Sequence, residues 1–277
     1  MIRWLTAVAA IALSMFAPAE ALASAPHAPD VLLRYDPPLG QRAQYRVVLD
    51  VRGTQSSLGE KLPVKWKAEG ELWEEVVARS DDGSFWLQVT GGPMTVTETN
   101  GLFANGPLGD ALDFRLHVSP TGAVVERVQS SPADARGRAL ADLVAELAPA
   151  ILPEAPVRPG DEWAADDGRG GRQANRLLSL EGTGELQIAR IAARSWLPLS
   201  LDEGVAELGL ATHLTGRAEG TSQLALEVKT GLVRYQKGRT HIVTQSRVPL
   251  SLPEGREAFL LESDLTVAFE VRLTARP

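Results

Sequence analysis

The sequence of 277 residues has no cysteine and only four histidines. The absence of thiols excludes disulfides, cysteine nucleophiles, thiolate metal ligands and an acylated N-terminal cysteine. Neither an H-E-x-x-H zinc motif nor a G-x-S-x-G nucleophile motif occurs, and the histidines are far apart in the chain. The sequence therefore predicts no metal, no cofactor and no catalytic residue, and it favours a non-enzymatic protein.

Positive charge is also scarce. The chain carries a formal net charge of -7 at pH 7 and has no block of Lys or Arg residues. Proteins that bind nucleic acid or anionic lipid surfaces need a basic surface. No Gly-rich phosphate loop is present, and strands do not alternate with helices as they do in dinucleotide-binding folds. We therefore expect no nucleic-acid partner.

The only long apolar run lies at the N-terminus, where residues 4–17 read WLTAVAAIALSMFA after the positive charge of Arg3. A run of about 14 residues is short for a membrane span and typical of a secretory signal peptide. Residues 21–23 fit the signal peptidase rule, so we predict a signal peptide over 1–23 that is cleaved after Ala23. The alternative is an uncleaved anchor. Export without disulfides indicates the bacterial periplasm or the medium, and no span remains in the mature chain.

Strand patterns fill most of the remaining sequence. Residues 24–30 are expected to form a flexible tail and residues 31–277 a single β-rich domain. In YRVVLDV (45–51) and VKWKAEGELWEEVVARS (64–80), apolar and polar residues alternate, which predicts half-buried strands. Gly70 is a candidate for a bend or bulge in the second of these strands. We count eleven or twelve strands, with turns such as DDG at 81–83. The predicted fold class is mainly β, with a large curved antiparallel sheet that forms an unclosed half-barrel.

One segment has the periodicity of a helix. Leu140, Leu143 and Leu147 recur at spacings of three and four within residues 132–150, which predicts an amphipathic helix packed on the concave face of the sheet. Pro132 suits the first turn of such a helix.

A faint repeat divides the chain. A TG turn between strand patterns occurs at 121–122 and again at 230–231. The echo suggests two pseudo-repeated halves, 31–130 and 172–277, joined by the predicted helix and a corner at 152–163. The alternative is that ordinary turn chemistry occurs twice.

The corner reads LPEAPVRPGDEW. Its three carboxylates suggest a site, but its prolines keep it out of helix, and Pro159-Gly160 suits the centre of a type II turn. We interpret the segment as a rigid corner in which Asp161 accepts local backbone hydrogen bonds and Trp163 turns inward.

Acidic clusters are the remaining candidates for chemistry. Glu69, Glu71, Glu74 and Glu75 contain enough carboxyls for an acid–base pair, but we interpret them as a solvated sheet face beside lysines. The loop DDGRGG at 166–171 lacks the alternating oxygen ligands of a calcium loop, so we interpret it as an ordinary solvated loop.

An unclosed sheet with one helix over it leaves room for an apolar cavity. The candidates for its lining are Trp66, Trp86, Phe114, Leu140, Leu143, Leu147, Trp163, Trp196 and Phe269. The alternative is that these side chains form a filled core.

An exported chain of long antiparallel strands, with a mid-chain helix and a TG hairpin, resembles the periplasmic lipoprotein-carrier superfamily of LolA/LolB-like and LppX-like half-barrels. The segment LPEAPVRPGDEW is also similar to an LP…V-x-P-G-D-x-W motif of uncharacterised secreted bacterial proteins. The first resemblance implies an unclosed barrel around an apolar cavity that helices cover. Neither resemblance implies a catalytic residue.

We therefore expect a non-enzymatic envelope protein that binds a lipid, another apolar ligand or a lipidated partner in a concave sheet cavity. One alternative is a solid-cored envelope scaffold or protein-interaction module with no small-molecule ligand. A second is an unrecognised hydrolase, which a buried histidine beside a carboxylate in a cleft would favour.

Overall fold

Extended strand dominates the structure. The computed structural model describes residues 30–57, 59–92, 94–98, 106–108, 113–129, 150–168, 170–205, 210–252 and 255–276. Apart from Ala150, the predicted helix over 132–150 lies outside the described residues, and so do Leu140, Leu143 and Leu147. Among the described residues no helix has the length and apolar character needed to cross a membrane.

Thirteen strands lie in the described part of the chain, together with a single-turn 3-10 helix at Gly184–Leu186. The strands are β1 (Arg42–Ser57), β2 (Glu60–Arg79), β3 (Phe85–Gly91), β4 (Met94–Glu98), β5 (Gly106–Leu108), β6 (Asp113–Val118), β7 (Val124–Gln129), β8 (Glu162–Asp166), β9 (Arg172–Glu181), β10 (Ile188–Val205), β11 (Leu210–Glu227), β12 (Val233–Leu252) and β13 (Gly255–Ala275).

All thirteen strands belong to one sheet whose order is β7-β6-β3-β2-β1-β13-β12-β11-β10-β9-β8, with β4 paired to β2 and β5 to β4. Every pairing is antiparallel. Among the described residues β7 and β8 each pair with one strand only, so the sheet does not close. The predicted fold class, a large unclosed antiparallel sheet, is confirmed.

The two faces of the sheet differ sharply in polarity. In β1 the side chains of Tyr45, Val47 and Leu49 are buried, while the intervening residues carry the charges of Arg46 and Asp50. The neighbouring strands place their buried residues on the same side, because the inward-facing Leu49 lies directly opposite Ala68 in β2 and Phe269 in β13. We call the buried side the apolar face and the other side the polar face.

Two irregular segments, residues 31–36 and 150–157, cover part of the apolar face. They are linked by a two-way backbone bridge between Val31 and Val157, with both N···O distances at 2.9 Å. Leu33 and Leu152, one from each segment, are buried in the same hydrophobic cluster as the strands. In the part of the chain that the structure describes, the core is therefore formed by one sheet face and two coil segments.

Tyr35 lies against both TG turns. A Cβ atom at Gly122 would lie 2.3 Å from Tyr35 Cε2, and one at Gly231 would lie 2.5 Å from Tyr35 Cα. The Tyr35 amide donates to the Pro120 carbonyl at 2.9 Å, and its hydroxyl donates to the Ala150 carbonyl at 3.0 Å. Glycine is required at both turns because any side chain there would collide with this residue.

Two local expectations have different outcomes. The DDG sequence at 81–83 forms the predicted turn between β2 and β3, with Gly83 at φ +84°. Gly70, a candidate bulge in β2, keeps regular register with Val47, and the register shift of this strand lies between Val76 and Ala78. Gly70 instead leaves room for Met94, whose Cγ would lie 2.5 Å from an added Cβ.

Candidate functional site

The apolar face contains a cavity of about 140 Å³. Its walls come from β1, β2, β3, β6, β7, β12 and β13, from the coil around Tyr35 and from both TG turns. The aliphatic and aromatic strand residues that line it are Ala43, Tyr45, Val47, Leu72, Val76, Phe85, Leu87, Val89, Phe114, Leu116, Val118, Val124, Val233 and Val271. Leu87, Val124 and Val271 face inward yet remain only half-buried, as expected for side chains that border a void.

One carboxyl group lies on this apolar wall. Glu74 is in register with Ala43 and shares the inward parity of Leu72 and Val76. Burial raises the pKa of Glu74 to about 7, and a hydrogen bond with the Tyr45 side chain offsets part of that rise. Burial also raises the pKa of Tyr45 well above its ordinary value, with the nearby Glu74 charge adding to the effect.

The interpretation of the glutamate cluster as a solvated face is therefore wrong for Glu74 and right for its neighbours. Glu69 and Glu75 lie on the polar face, where Glu69 pairs with Lys67 at 2.9 Å and Glu75 with Arg42 at 3.1 Å. Hydrogen bonds from Lys67 and Arg46 hold the pKa of Glu69 below its ordinary value. Successive residues of a strand point to opposite faces, and this alternation along β2 is the signal that separates Glu74 from Glu69, Glu71 and Glu75.

The candidate aromatic residues divide between the two faces. Phe114 lines the cavity and is 1% exposed. Trp66, Trp163 and Phe269 also lie on the apolar face, in or against the hydrophobic cluster, but outside the cavity wall. The structure thus brings four of the predicted aromatics to one face.

Trp86 and Trp196 lie on the polar face. Trp86 stacks on His117, with ring centroids 4.9 Å apart, and Trp196 is 43% exposed. Neither side chain points to the cavity, because adjacent residues of a strand point to opposite faces. Trp86 lies between the inward-facing Phe85 and Leu87, and Trp196 is followed by the inward-facing Leu197.

The corner at 152–163 has the predicted geometry. Gly160 has φ +99°, and the Asp161 amide donates to the Arg158 carbonyl at 3.0 Å, which closes a turn with Pro159 and Gly160 at its centre. Asp161 Oδ2 accepts the Arg158 amide at 2.8 Å. Trp163 turns inward and its Nε1 donates to the Ile151 carbonyl at 2.8 Å.

A serine, a histidine and a carboxylate meet at the DDG turn, but in the wrong order for catalysis. Ser84 Oγ lies 2.7 Å from Asp82 Oδ1 and 2.9 Å from His117 Nε2. A serine nucleophile needs the histidine between the serine and the acid. Here the serine is central and 4% exposed, and the Ser84 amide and hydroxyl lower the pKa of Asp82. The group fixes the DDG turn.

No metal-binding group was found among the residues described: nowhere do three or more His, Asp or Glu side chains converge. The loop at 166–171 is held by its own aspartates. Asp166 Oδ1 accepts the Gly168 amide at 2.7 Å and Asp167 Oδ1 accepts the Gly171 amide at 2.7 Å. These oxygens are occupied by backbone, as expected for an ordinary loop.

A second concavity lies across strands β8 to β13 and measures about 870 Å³. Its lining residues form three adjacent rows in the strand register. Two rows point to the polar face: Glu162, Arg176, Ala192, Gln223, Lys237 and Glu270 in one, and Ala164, Ala174, Arg194, Thr221 and Arg239 in the other. The row between them runs from Trp163 to Phe269 and points to the apolar face. We call this feature the transverse groove.

Comparisons with known proteins give little guidance. No protein-family model matches the chain, and no curated protein matches it. Among solved structures, an outer membrane channel from Pseudomonas putida F1 is similar at 10% identity, over 87% of this chain and 98% of that chain, with a TM-score of 0.21. A score at this level does not indicate a shared fold, so function is argued from the two concavities alone.

Proposed function

We propose that the protein is an exported, non-enzymatic binding protein that holds the apolar end of a lipid, or another small apolar ligand, in its interior cavity. The observation that supports this most is the cavity of about 140 Å³ in the apolar face. An apolar void of about 150 Å³ accommodates benzene, whereas pockets for whole drug-sized molecules measure roughly 300–1,000 Å³. The cavity therefore suits one end of a lipid.

The wall chemistry suits an alkyl or aromatic group. Transfer of each methylene group from water to such a site contributes about 0.8 kcal/mol, so a four-carbon segment contributes about 3 kcal/mol. Glu74 adds one polar contact at the wall. Because its pKa is about 7, the carboxyl donates a hydrogen bond to the ligand when protonated and accepts one when ionised.

Calorimetric titration of the purified protein with toluene and with hexanol tests the proposal. Val89→Phe places a ring in the cavity from β3, where Val89 is 3% exposed and lines the wall. We expect both ligands to bind the unmodified protein and to lose binding at least tenfold in this variant. Thr90→Phe is the matched control, because it adds the same ring one residue along the strand on the polar face.

Absence of binding by both ligands would refute the proposal. If Val89→Phe at the same time raised the melting temperature, the alternative of a solid-cored envelope scaffold would be preferred, since the added ring would then have filled an unused void. Equal loss of binding in Thr90→Phe would show that the ligands bind elsewhere.

A further inference from the structure

The transverse groove is independent of the interior cavity. The cavity and the groove share no lining residue. The strand residues that line the cavity point to the apolar face, whereas two of the three rows that line the groove point to the polar face. The groove spans five strand intervals from β8 to β13, which at about 4.8 Å each gives a length of about 24 Å. Its two rims are two residues apart along each strand, a separation of about 7 Å. This is the shape of a trough for an elongated ligand.

Small side chains in both rims widen the groove at one end. Ala164, Ala174 and Ala192 point to the polar face on three adjacent strands. The row between the rims sends Trp163 and Phe269 to the opposite face, so the floor between the rims is backbone, and alanine methyl groups flank it at this end. The wider end has room for a ring of the ligand.

The charge of the groove is opposite to that of the chain. The two carboxylates on its rim are engaged, since Glu162 lies 3.8 Å from Arg176 and Glu270 lies 2.9 Å from Arg272. Arg194, Lys237 and Arg239 form no ion pair with any other described residue. Three cations that have no ion pair within the described residues therefore face one trough in a protein of net charge -7.

Register fixes how these cations are arranged. Arg194 and Arg239 stand on either side of Thr221 in the same row, about 10 Å apart at two strand intervals. Lys237 is two residues from Arg239 on β12, beside Gln223. The cations thus surround a hydroxyl and an amide, which bind the hydroxyl groups of a ligand, while arginine binds carboxylate or phosphate oxygens in bidentate fashion.

We propose that the transverse groove binds a short anionic oligosaccharide that carries carboxylate or phosphate groups. An extended peptide is a poorer fit, because peptides add to sheet edges through free backbone groups, and the backbone of β9 to β13, which carries most of the groove, is already paired on both sides. A nucleic acid is also a poorer fit, because its binding draws mainly on contacts between many phosphates and basic side chains, roughly 6–10 of them in a strongly salt-dependent complex. Arg194, Lys237 and Arg239 are too few for that.

Binding is measured by calorimetric titration of the purified protein with trigalacturonic acid, with trehalose 6-phosphate and with uncharged maltotriose. The first two probes separate carboxylate from phosphate recognition. We expect at least one charged probe to bind and maltotriose to bind at least tenfold more weakly. The affinity for the charged probe should fall several-fold when the ionic strength is raised above about 0.1 M, where the Debye length drops below about 10 Å.

Variants locate the site. Arg194→Ala and Arg239→Ala are each expected to weaken binding about tenfold or more, since each removes a charge-assisted contact. Ala192→Trp fills the trough without changing charge and is expected to abolish binding. Arg217→Ala is the matched control, because Arg217 is an exposed arginine on the same face that pairs with Glu219 outside the groove.

The proposal is overturned if neither charged probe binds, if maltotriose binds as tightly as they do, or if Arg217→Ala weakens binding as much as Arg194→Ala. Tighter binding of an acidic peptide or of anionic vesicles than of either sugar would also overturn it. Since Val89→Phe alters the opposite face, sugar binding by that variant is expected to be unchanged, which separates this test from that of the interior cavity.

Discussion

Replacement of Glu74 with glutamine tests whether the apolar cavity contains a carboxyl group. The pKa of Glu74 is raised from its ordinary value of 4.5 to about 7. Between these values the unfolded chain releases a proton that the folded chain retains, so rising pH favours unfolding. Below about pH 4.5 the group is protonated in both states, and the folded state then has its full stability from this group. Above about pH 7 the ionised carboxyl opposes folding.

The magnitude follows from the shift. Each unit of pKa corresponds to about 1.4 kcal/mol, so the shift implies a loss of up to about 3 kcal/mol between acid and alkaline pH. Part of Glu74 remains accessible to solvent, which lowers the expected loss to roughly 1–3 kcal/mol. Glutamine does not titrate and keeps an oxygen that accepts the Tyr45 hydroxyl. The Glu74→Gln variant is therefore expected to lack this pH dependence.

Urea unfolding monitored by tryptophan fluorescence at about pH 5 and about pH 8 measures the difference. The stabilisation of Glu74→Gln relative to the unmodified protein should be greater at the higher pH by roughly 1–3 kcal/mol. Glu75→Gln is the control, because Glu75 is next in sequence but lies on the polar face against Arg42. A relative stability of Glu74→Gln that is independent of pH would refute the placement of this carboxyl in an apolar wall.

Two further predictions concern the glycines that fix the coil segments. Gly160→Val should lower the melting temperature by several degrees, because Gly160 has φ +99° and a positive φ costs a residue with a side chain roughly 1–2 kcal/mol, although the space around it is open. Gly160→Asn should lower the melting temperature less. Equal melting temperatures for the two variants and the unmodified protein would contradict the turn. Gly122→Ala should lower the melting temperature of the protein more than Gly160→Ala, since the added methyl group at Gly122 also meets the Tyr35 ring at 2.3 Å. Thermal unfolding followed by circular dichroism compares the two variants. The reverse order would contradict the packing of Tyr35 on the turn.

Much of the fold is predictable from short-range patterns. Period-two alternation in 45–51 and 64–80 marks the strands β1 and β2, and the DDG sequence marks the turn that follows. The corner is predictable as well, since proline followed by glycine at 159–160 suits only a few turn geometries. These features depend on neighbours in sequence, so the sequence alone defines them.

The sites depend on strand order and register, which short patterns do not contain. Trp86 has apolar neighbours on both sides, so aromatic content alone does not assign its face. Glu74 stands in a run of charged residues that suggests a solvated face, and only its position in the alternation with Leu72 and Val76 indicates that it points inward. The transverse groove joins residues between Glu162 and Glu270 from six strands, and three of its key residues are alanines, which have no distinctive chemistry in sequence.

The central claim is that a small apolar ligand occupies the interior cavity of the apolar face. Intermolecular nuclear Overhauser effects between bound toluene and the protein methyl groups test it most directly. The account predicts contacts to the methyl groups of Val89 and Leu116, which line the cavity, and none to Ala174 or Ala192 on the polar face. Contacts confined to the polar-face alanines, or no contact to the cavity methyl groups at saturating toluene, would contradict it.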